Sequence, residues 1–249
     1  MKEFLFFDVE STGLRDEDRI CQLAYIRMDI GMEKDLEIFN QFFKPPLPIK
    51  IDAMEVHHIT EERVADQPTF LKYQKYGKLK ELFESDNIVA VAHNARFDVG
   101  MLQKEGITPR NVICTLKVAR HLDADGIIPS HALQYLRYYL NLDIQAVLAH
   151  DALGDAKVLK ALFKRLYLKM GGTSPSLIEM MEISSRPSVI TRFTFGKYKG
   201  EKIADIAKRD VGYLKWLYNS EKEKENQDED MLYTLAKLLG VIMSKSLSK

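Results

Sequence analysis

The chain has 249 residues, of which 46% are hydrophobic, enough for one sizeable core and a small second domain. Its 36 lysines and arginines balance 36 acids, so the net charge neither indicates nor excludes a nucleic-acid partner. The two cysteines, Cys21 and Cys114, provide no disulfide framework and no metal-ligand spacing. No apolar run reaches the length of a signal peptide or a membrane helix, which predicts a cytoplasmic protein.

The first predicted elements are strands, at residues 3–10, 20–28 and 36–44. Their short polar connections favour an antiparallel meander. The sheet is expected to end at "PPLPIKID", because three prolines cannot lie in a paired interior strand. Thr60, followed by two glutamates, is typical of a helix start, and a longer helix is predicted over 70–84.

The middle of the chain alternates strands and helices. The segment "NIVAVAHN" at 87–94 is a continuous apolar run, typical of a strand buried on both faces. The next segment, "ARFDVGMLQKEG", predicts a helix that Gly106 closes. Further predicted elements are a strand at 111–115 and helices at 115–122, at 131–140 with Ser130 as its cap, and at 152–169. Strands followed by strand–helix alternation indicate an α/β protein, a mixed sheet covered by helices.

The composition of the chain changes after Met170. The segment "GGTSPS" is typical of a linker, so we expect a domain at 1–171, a linker at 172–190 and a small C-terminal α+β module at 191–249. Residues 192–209 carry six lysines and arginines against two acids, whereas residues 221–230 carry six acids against two lysines. The zero net charge therefore conceals a local charge reversal.

Aromatic residues of the module alternate with cations, in the order Arg192, Phe193, Phe195, Lys197, Tyr198 and Lys199. This interleaving suits single-stranded nucleic acid, whose bases stack on rings while its phosphates meet cations. The alternative is that these aromatics, together with those of "YLKWLY", form the core of a small domain with a solvated basic edge. We favour the second interpretation, because so small a domain needs its aromatic residues for its core.

Two carboxylates, Asp8 and Glu10, directly follow the apolar run "FLFF" at residues 4–7. Side chains alternate along a strand, so the two acids share one face, roughly 6.5 Å apart. Carboxylates this close repel each other unless a positive charge lies between them, and hard oxygen ligands suit Mg²⁺ or Mn²⁺. Acids at this position are equally compatible with a strand that runs out into solvent.

Two further acids lie at the start of predicted helices. Asp98 is in the first turn of the helix after the second buried strand, where the helix dipole favours an acid in any case. Asp151 can cap the helix at 152–169, which places Asp155 in its opening turn and His150 in the preceding loop. Each position has an ordinary explanation by itself, but the four acids and the histidine together indicate one site.

The three acidic segments resemble the motifs of the DEDD exonuclease superfamily, in its histidine subclass. "FFDVESTGL" resembles the first motif, "VAHNARFDVGML" the second and "HDALGDA" the third, in the same order and spacing. The resemblance covers roughly residues 3–168 and points to exonuclease X-type and proofreading-subunit-type 3′–5′ exonucleases. The segment "RFTFGKYKGEKIADIAKRDVGYLKWLYNS" resembles the small module that follows some exonuclease X-type domains. The resemblance implies a ribonuclease H-like mixed sheet flanked by helices.

The resemblance also assigns roles to residues. Two divalent cations, Mg²⁺ or Mn²⁺, would be held by Asp8, Glu10, Asp98 and Asp155. His150 would be the general base that deprotonates the attacking water. The residues that match substrate contacts are Ser11, Thr12, Leu14 and Asn94. Relatives usually carry a glycine where this chain has His58, in "VHHIT".

The resulting expectation is a metal-dependent 3′–5′ exonuclease that hydrolyses DNA to nucleoside monophosphates. An exoribonuclease remains open, because the choice between DNA and RNA rests on whether the site tolerates a 2′-hydroxyl. A non-catalytic binding module is a third possibility, which the complete set of acidic ligands disfavours. The expected partner is a nucleic acid with a 3′ end, with single-stranded DNA favoured, and the motifs identify no polymerase or other protein partner.

Overall fold

Five strands form one mixed sheet in the order β3-β2-β1-β4-β5. Their bounds are β1 Glu3–Ser11, β2 Ile20–Asp29, β3 Asp35–Phe42, β4 Ile88–Ala92 and β5 Val112–Cys114. The first three pair antiparallel, which confirms the predicted meander, and β4 and β5 are parallel to β1. The computed structural model describes residues 1–142, 144 and 151–241.

Helices cover both faces of this sheet. Those that begin before residue 182 are α1 Ile51–His57, α2 Glu61–Val64, α3 Tyr76–Phe83, α4 Ala95–Lys104, α5 Thr115–Leu122, α6 Leu133–Tyr139, α7 Ala152–Lys169 and α8 Ser174–Ser184. Two predicted caps are confirmed: Thr60 accepts a hydrogen bond from the Arg63 N–H at the start of α2, and Asp151 accepts one from the Gly154 N–H at the start of α7. In the part of the chain that the structure describes, no helix is long and apolar enough to cross a bilayer.

Strand β1 is central and buried on both faces. On one face Phe4 and Phe6 pack against Phe163 of α7, with ring centroids 4.9 and 5.3 Å apart. On the other face Phe7 packs edge-on against Phe83 of α3, at 5.1 Å. Because side chains alternate, Asp8 and Glu10 continue the row of Phe4 and Phe6 toward the start of α7.

Several helix limits differ from those predicted. The helix expected over 70–84 is divided into a 3₁₀ turn at Phe70–Lys72 and α3, because Tyr73 is extended and packs edge-on against Phe43 at 5.6 Å. Ser130 is not the cap of α6, which begins at Leu133 after Ala132. Helix α1 begins at Ile51, within the segment "PPLPIKID", and was not predicted, and α8 occupies most of the segment expected to be a linker.

The contacts divide the chain into two compact units. The first comprises Met1–Leu116 and Ala132–Met181, and the second comprises Lys117–His131 and the chain from Glu182 onward. The division after Met181 lies within the predicted linker at 172–190, whereas no feature of the sequence placed 117–131 in the second unit.

The second unit contains α9 Ile203–Arg209, α10 Val211–Lys222 and α11 Glu229–Leu239. The β structure among its described residues is a single bridge between Arg192 and Lys202. Arg120 joins the segment 117–131 to this unit through an ion pair with Asp230 at 2.6 Å, and Asp230 also accepts the Ser188 N–H at 2.7 Å.

The aromatic residues of the second unit fall into two groups. Phe193 is buried in the core and Tyr198 packs against that core, as predicted for a small domain. The prediction is wrong for Phe195 and Trp216, whose exposed fractions are 42% and 60%. Trp216 lies at a position of α10 that faces solvent, between the buried residues Leu214 and Leu217.

Candidate metal centre and active site

Three elements bring the predicted acids together. Asp8 and Glu10 come from β1, Asp98 from the first turn of α4 and Asp155 from the first turn of α7. Carboxylate oxygens of Asp8, Glu10 and Asp155 lie within 4.8 Å of one another. Asp98 is adjacent, because its Oδ1 accepts a hydrogen bond of 3.2 Å from the N–H of Val9, the residue between the two strand acids.

The electrostatics of this acid cluster are those of a site that lacks its positive charge. Burial, followed by repulsion from Asp98, Glu10 and Asp155, raises the pKa of Asp8 well above its usual range. Burial and the same kind of repulsion raise the pKa of Glu10 to about 8, and burial raises that of Asp98 to about 7. Among the described residues, no lysine or arginine forms an ion pair with Asp8, Glu10 or Asp98.

These observations fit a divalent cation. The donors are all hard carboxylate oxygens, converging from independent elements, and their charges repel each other in the metal-free protein. Bound Mg²⁺ or Mn²⁺ would remove that repulsion and match the ligand chemistry. The residues that can hold a metal are therefore Asp8, Glu10 and Asp155, with Asp98 beside them.

A glutamine on β2 fixes the start of α7. The Nε2 of Gln22 donates to Asp151 Oδ1 at 3.0 Å and to Asn40 Oδ1 at 2.9 Å, while its Oε1 accepts from the Ala152 N–H at 3.4 Å. Gln22 is buried within the run "ICQLAYI" of β2, so its polar groups need these partners, and the bonds to Asp151 and Ala152 fix the start of α7 against the sheet. We did not predict this role, although a polar residue within "ICQLAYI" was a usable signal.

A second glutamine contacts the acid cluster itself. The Nε2 of Gln134, in the first turn of α6, donates to Asp155 Oδ1. This bond orients the Asp155 carboxylate within the cluster. The sequence offered no signal for this contact, because it joins residues of two helices whose packing is not evident from either segment.

The loop after β1 contains three predicted substrate contacts. Ser11 Oγ donates to the Gly13 carbonyl at 2.7 Å, and Thr12 Oγ1 donates to Asp18 Oδ1 at 2.9 Å, so both hydroxyls stabilise the loop itself. The Leu14 side chain, in contrast, is 80% exposed.

An ion pair between the buried Asp18 and the partly exposed Lys50 supports this loop. Asp18 Oδ2 accepts from the Lys50 Nζ at 2.6 Å and from the Arg15 N–H at 2.7 Å. Burial alone would raise the pKa of Asp18, but the hydrogen bonds from Lys50 and Arg15 outweigh burial and lower it. The loop that carries Leu14 is therefore held by the ion pair between Asp18 and Lys50 and by the hydrogen bond from the Arg15 N–H to Asp18.

The segment "VHHIT" contributes a buried histidine beneath the same loop. The Ile59 N–H donates to His57 Nδ1 at 3.0 Å, so the ring proton is on Nε2, which donates to the Ser11 carbonyl at 3.1 Å. His58 has a left-handed backbone, with φ of 58°, which explains why glycine suits this position in relatives. Asn94, exposed at the N-terminus of α4, is also left-handed, with φ of 61°.

The predicted general base, His150, lies outside the residues that the structure describes. The next residue, Asp151, is described, and as the cap of α7 it sets where the chain enters the helix that carries Asp155. The role of His150 therefore stays a prediction from the sequence.

Comparison with known proteins agrees with this geometry. A family described as "Exonuclease" matches residues 5–163, and one described as "Exodeoxyribonuclease X-like C-terminal" matches residues 193–222. Exodeoxyribonuclease 10 from Escherichia coli K12 is 36% identical over 214 residues, which are 86% of this chain and 89% of that protein. A DNA polymerase III subunit epsilon-like protein from Rhodobacter capsulatus is 33% identical over 66% of this chain and 23% of its own length.

Solved structures show the same architecture. Exonuclease X, solved in complex with 5′ overhanging duplex DNA, superimposes with a TM-score of 0.59 at 29% identity, covering 73% of this chain and 99% of that one. Exonuclease I of E. coli, solved with a dA16 oligonucleotide, gives a TM-score of 0.56 at 22% identity over 72% of this chain and 42% of its own, a likeness of fold alone. The matched family spans well over half of the chain, so this protein belongs to that exonuclease family, with the ribonuclease H-like fold.

Proposed function

We propose that this exonuclease hydrolyses DNA from the 3′ end and releases nucleoside monophosphates, using two divalent cations, Mg²⁺ or Mn²⁺. The observation that carries the proposal is the approach of carboxylate oxygens of Asp8, Glu10 and Asp155 to within 4.8 Å of one another. The choice of DNA is supported by the relatives, one of which is named an exodeoxyribonuclease and another solved with duplex DNA.

The carboxylates would hold the cations. When bound, such ions stabilise the charge that develops on the attacking and leaving oxygens of a phosphodiester. Asp8 and Glu10 come from a fully paired strand, and Asp98 is tied to that strand through the Val9 N–H. Gln22 fixes the N-terminal end of α7, and Gln134 fixes the Asp155 carboxylate. The ligands are therefore preorganised by bonds that do not depend on the metal.

His150 would act as the general base. A neutral imidazole near pH 7 can accept the proton of the attacking water, and His150 directly precedes Asp151, the cap of the helix that carries Asp155. The 3′-terminal nucleotide would contact the turn of Ser11 and Thr12, with Leu14 packing against its base and Asn94 lining the opposite side. The exposure of Leu14 and Asn94 and the hydrogen bonds that hold the loop of Leu14 favour this arrangement.

The test is end-resolved cleavage. Single-stranded DNA, duplex DNA with a 5′ overhang and RNA of one sequence are each labelled at the 3′ or the 5′ end, then incubated with Mg²⁺, Mn²⁺ or EDTA. We expect immediate release of the 3′ label as a mononucleotide, stepwise shortening of the 5′-labelled strand, and no reaction in EDTA. Asp155→Asn should abolish cleavage, whereas Glu179→Gln, which changes an exposed acid of α8, should not.

Two results would contradict the proposal in different ways. Release that starts at the 5′ end, or cleavage unaffected by Asp155→Asn, would show that the acid cluster is not the reactive centre. Faster trimming of RNA than of either DNA would keep the chemistry but replace the substrate, and the enzyme would then be an exoribonuclease.

A further inference from the structure

The segment Phe195–Gly200, "FGKYKG", forms a tight loop in the second unit. Gly196 and Gly200 have left-handed backbones, with φ of 71° and 88°. A Cβ on Gly196 would lie 2.9 Å from the Tyr213 hydroxyl, so the loop lies against this side chain of α10. This contact fixes Phe195 and Lys197, the neighbours of Gly196, beside the tyrosine.

Tyr213 connects the core of the unit to its surface. Its ring meets the buried Phe193 edge-on at 5.7 Å and the exposed Trp216 at 5.6 Å. The core is closed by residues of α9, α10 and α11 without Trp216 or Phe195. Trp216 is therefore held at the surface against Tyr213, and Phe195 is exposed next to Gly196, although the core uses neither ring, which is the pattern of a binding surface.

Two cations lie over Tyr198, a ring that contacts Tyr213. Lys197 Nζ lies 4.7 Å and Arg209 Cζ 5.2 Å from the centre of the Tyr198 ring, which meets Tyr213 edge-on at 5.0 Å. Asp210 and Glu201 neutralise part of this charge through Lys197 and Arg209. Lys199 is exposed, and it has no ion pair among the described residues.

We propose that Phe195, Trp216 and the cations of the "FGKYKG" loop form a binding face for single-stranded DNA. Exposed ring faces accept unstacked bases, which a duplex does not offer, and the neighbouring lysines and arginine match a phosphate backbone. The proposal rests on the proposed function only in the choice of DNA as the strand. Binding by this face requires no cleavage, so it is measured independently of the exonuclease reaction.

Trp216 provides a direct measurement, because it is the single tryptophan of the chain. In the full chain with EDTA, a (dT)16 strand is titrated against tryptophan fluorescence. We expect saturable quenching as bases stack on the indole, weakened by added salt. The mononucleotide dTMP offers one base and no strand, so we expect it to leave the fluorescence unchanged at concentrations that occupy the catalytic centre.

Variants then test the contribution of each ring through the anisotropy of fluorescein-labelled (dT)16. Trp216→Ala should weaken binding about 5- to 150-fold, the range that loss of one base-stacking ring produces. Trp216→Phe should restore most of the affinity, and Phe195→Ala should weaken binding within the same range. Lys222→Ala is the matched control, because it removes an exposed cation of the same helix that lies over Tyr218, outside the proposed face.

The outcomes separate this proposal from the exonuclease function. Unchanged fluorescence with (dT)16, or equal affinity of wild type, Trp216→Ala and Phe195→Ala, overturns the proposal even if the enzyme cleaves DNA. In that case the surface serves another class of partner, such as a protein. Saturable quenching of wild-type fluorescence by (dT)16, together with weaker anisotropy binding by Trp216→Ala at an unchanged melting curve, supports the proposal even if the cleavage assay is negative.

Discussion

Replacing Glu10 by glutamine tests whether the negative charge of the buried acid cluster lowers the stability of the metal-free protein. The pKa of Glu10 is about 8 in the folded, metal-free protein, against 4.5 for an ordinary glutamate. The folded state therefore holds this proton more tightly than the unfolded state does. The associated stability is fully present below about pH 4.5 and is lost as the pH rises to about 8. The difference between the two pKa values corresponds to a loss of at most about 5 kcal/mol in the free energy of unfolding above pH 8.

Glu10→Gln keeps the shape of the side chain and removes its charge. In EDTA we expect the variant and wild type to be similar near pH 4.5, with the variant increasingly more stable up to pH 9. The measurement is urea unfolding followed by circular dichroism at pH 5, 7 and 9. Glu179→Gln, which changes an exposed acid of α8, is the control and should follow wild type at each pH.

Added Mg²⁺ or Mn²⁺ should make wild type more stable than Glu10→Gln. A cation that binds only the folded protein stabilises it in proportion to the logarithm of its concentration, and the variant lacks one ligand. The reasoning is refuted if Glu10→Gln is no more stable than wild type at pH 9 in EDTA. It is refuted equally if the cation stabilises both proteins to the same extent.

Three further changes test other parts of the molecule. His150→Ala should lower single-turnover cleavage at pH 7 about 10²- to 10⁴-fold while DNA affinity is retained, because a positioned general base contributes that factor. His58→Gly should increase the free energy of unfolding by about 0.5–1 kcal/mol in urea, because glycine relieves the left-handed backbone there. Asp230→Ala should lower stability by about 3–5 kcal/mol, because it leaves the mostly buried Arg120 without its carboxylate, and hydrogen exchange should locate the loss at 117–131.

Each of these has a contrary result. Wild-type cleavage by His150→Ala would remove the histidine from the mechanism and leave the carboxylates unaffected. A less stable His58→Gly would show that the imidazole makes a contact worth more than the backbone strain. Unchanged exchange at 117–131 in Asp230→Ala would show that this segment does not depend on the ion pair.

The strand meander and the acid-bearing elements could be predicted because their signals are local. The apolar run of β1, the continuous run of β4 and the caps Thr60 and Asp151 are each contained in a few adjacent residues. The same holds for the acids, whose positions at the end of a strand and in the first turns of helices follow from those elements. Spatial convergence then follows from the sheet order, in which β4 is parallel to β1.

The supporting contacts could not be predicted, because they depend on packing between distant segments. Gln22 and Asp151 are 129 residues apart, and nothing in either segment identifies the other. Helix α8 was missed because glycine, serine, threonine and proline are common both in linkers and at helix starts. Its identity as a helix depends on burying Leu177 and Met180, which only the folded chain reveals.

The position of the acids on β1 also explains why this strand tolerates them. Phe4, Leu5, Phe6 and Phe7 are completely buried, and β1 pairs with a neighbouring strand on each side. The residues that precede the acids in the sequence therefore fix the position of β1 in the sheet. An edge strand could move aside to separate Asp8 from Glu10, but a central one cannot, and burial together with repulsion among the acids of the cluster keeps both pKa values raised. The stable strand therefore preserves an unfavourable arrangement of charges, and relief of that repulsion would contribute to the affinity for a cation. Functional sites of this kind depart from the rule that buried strands are apolar.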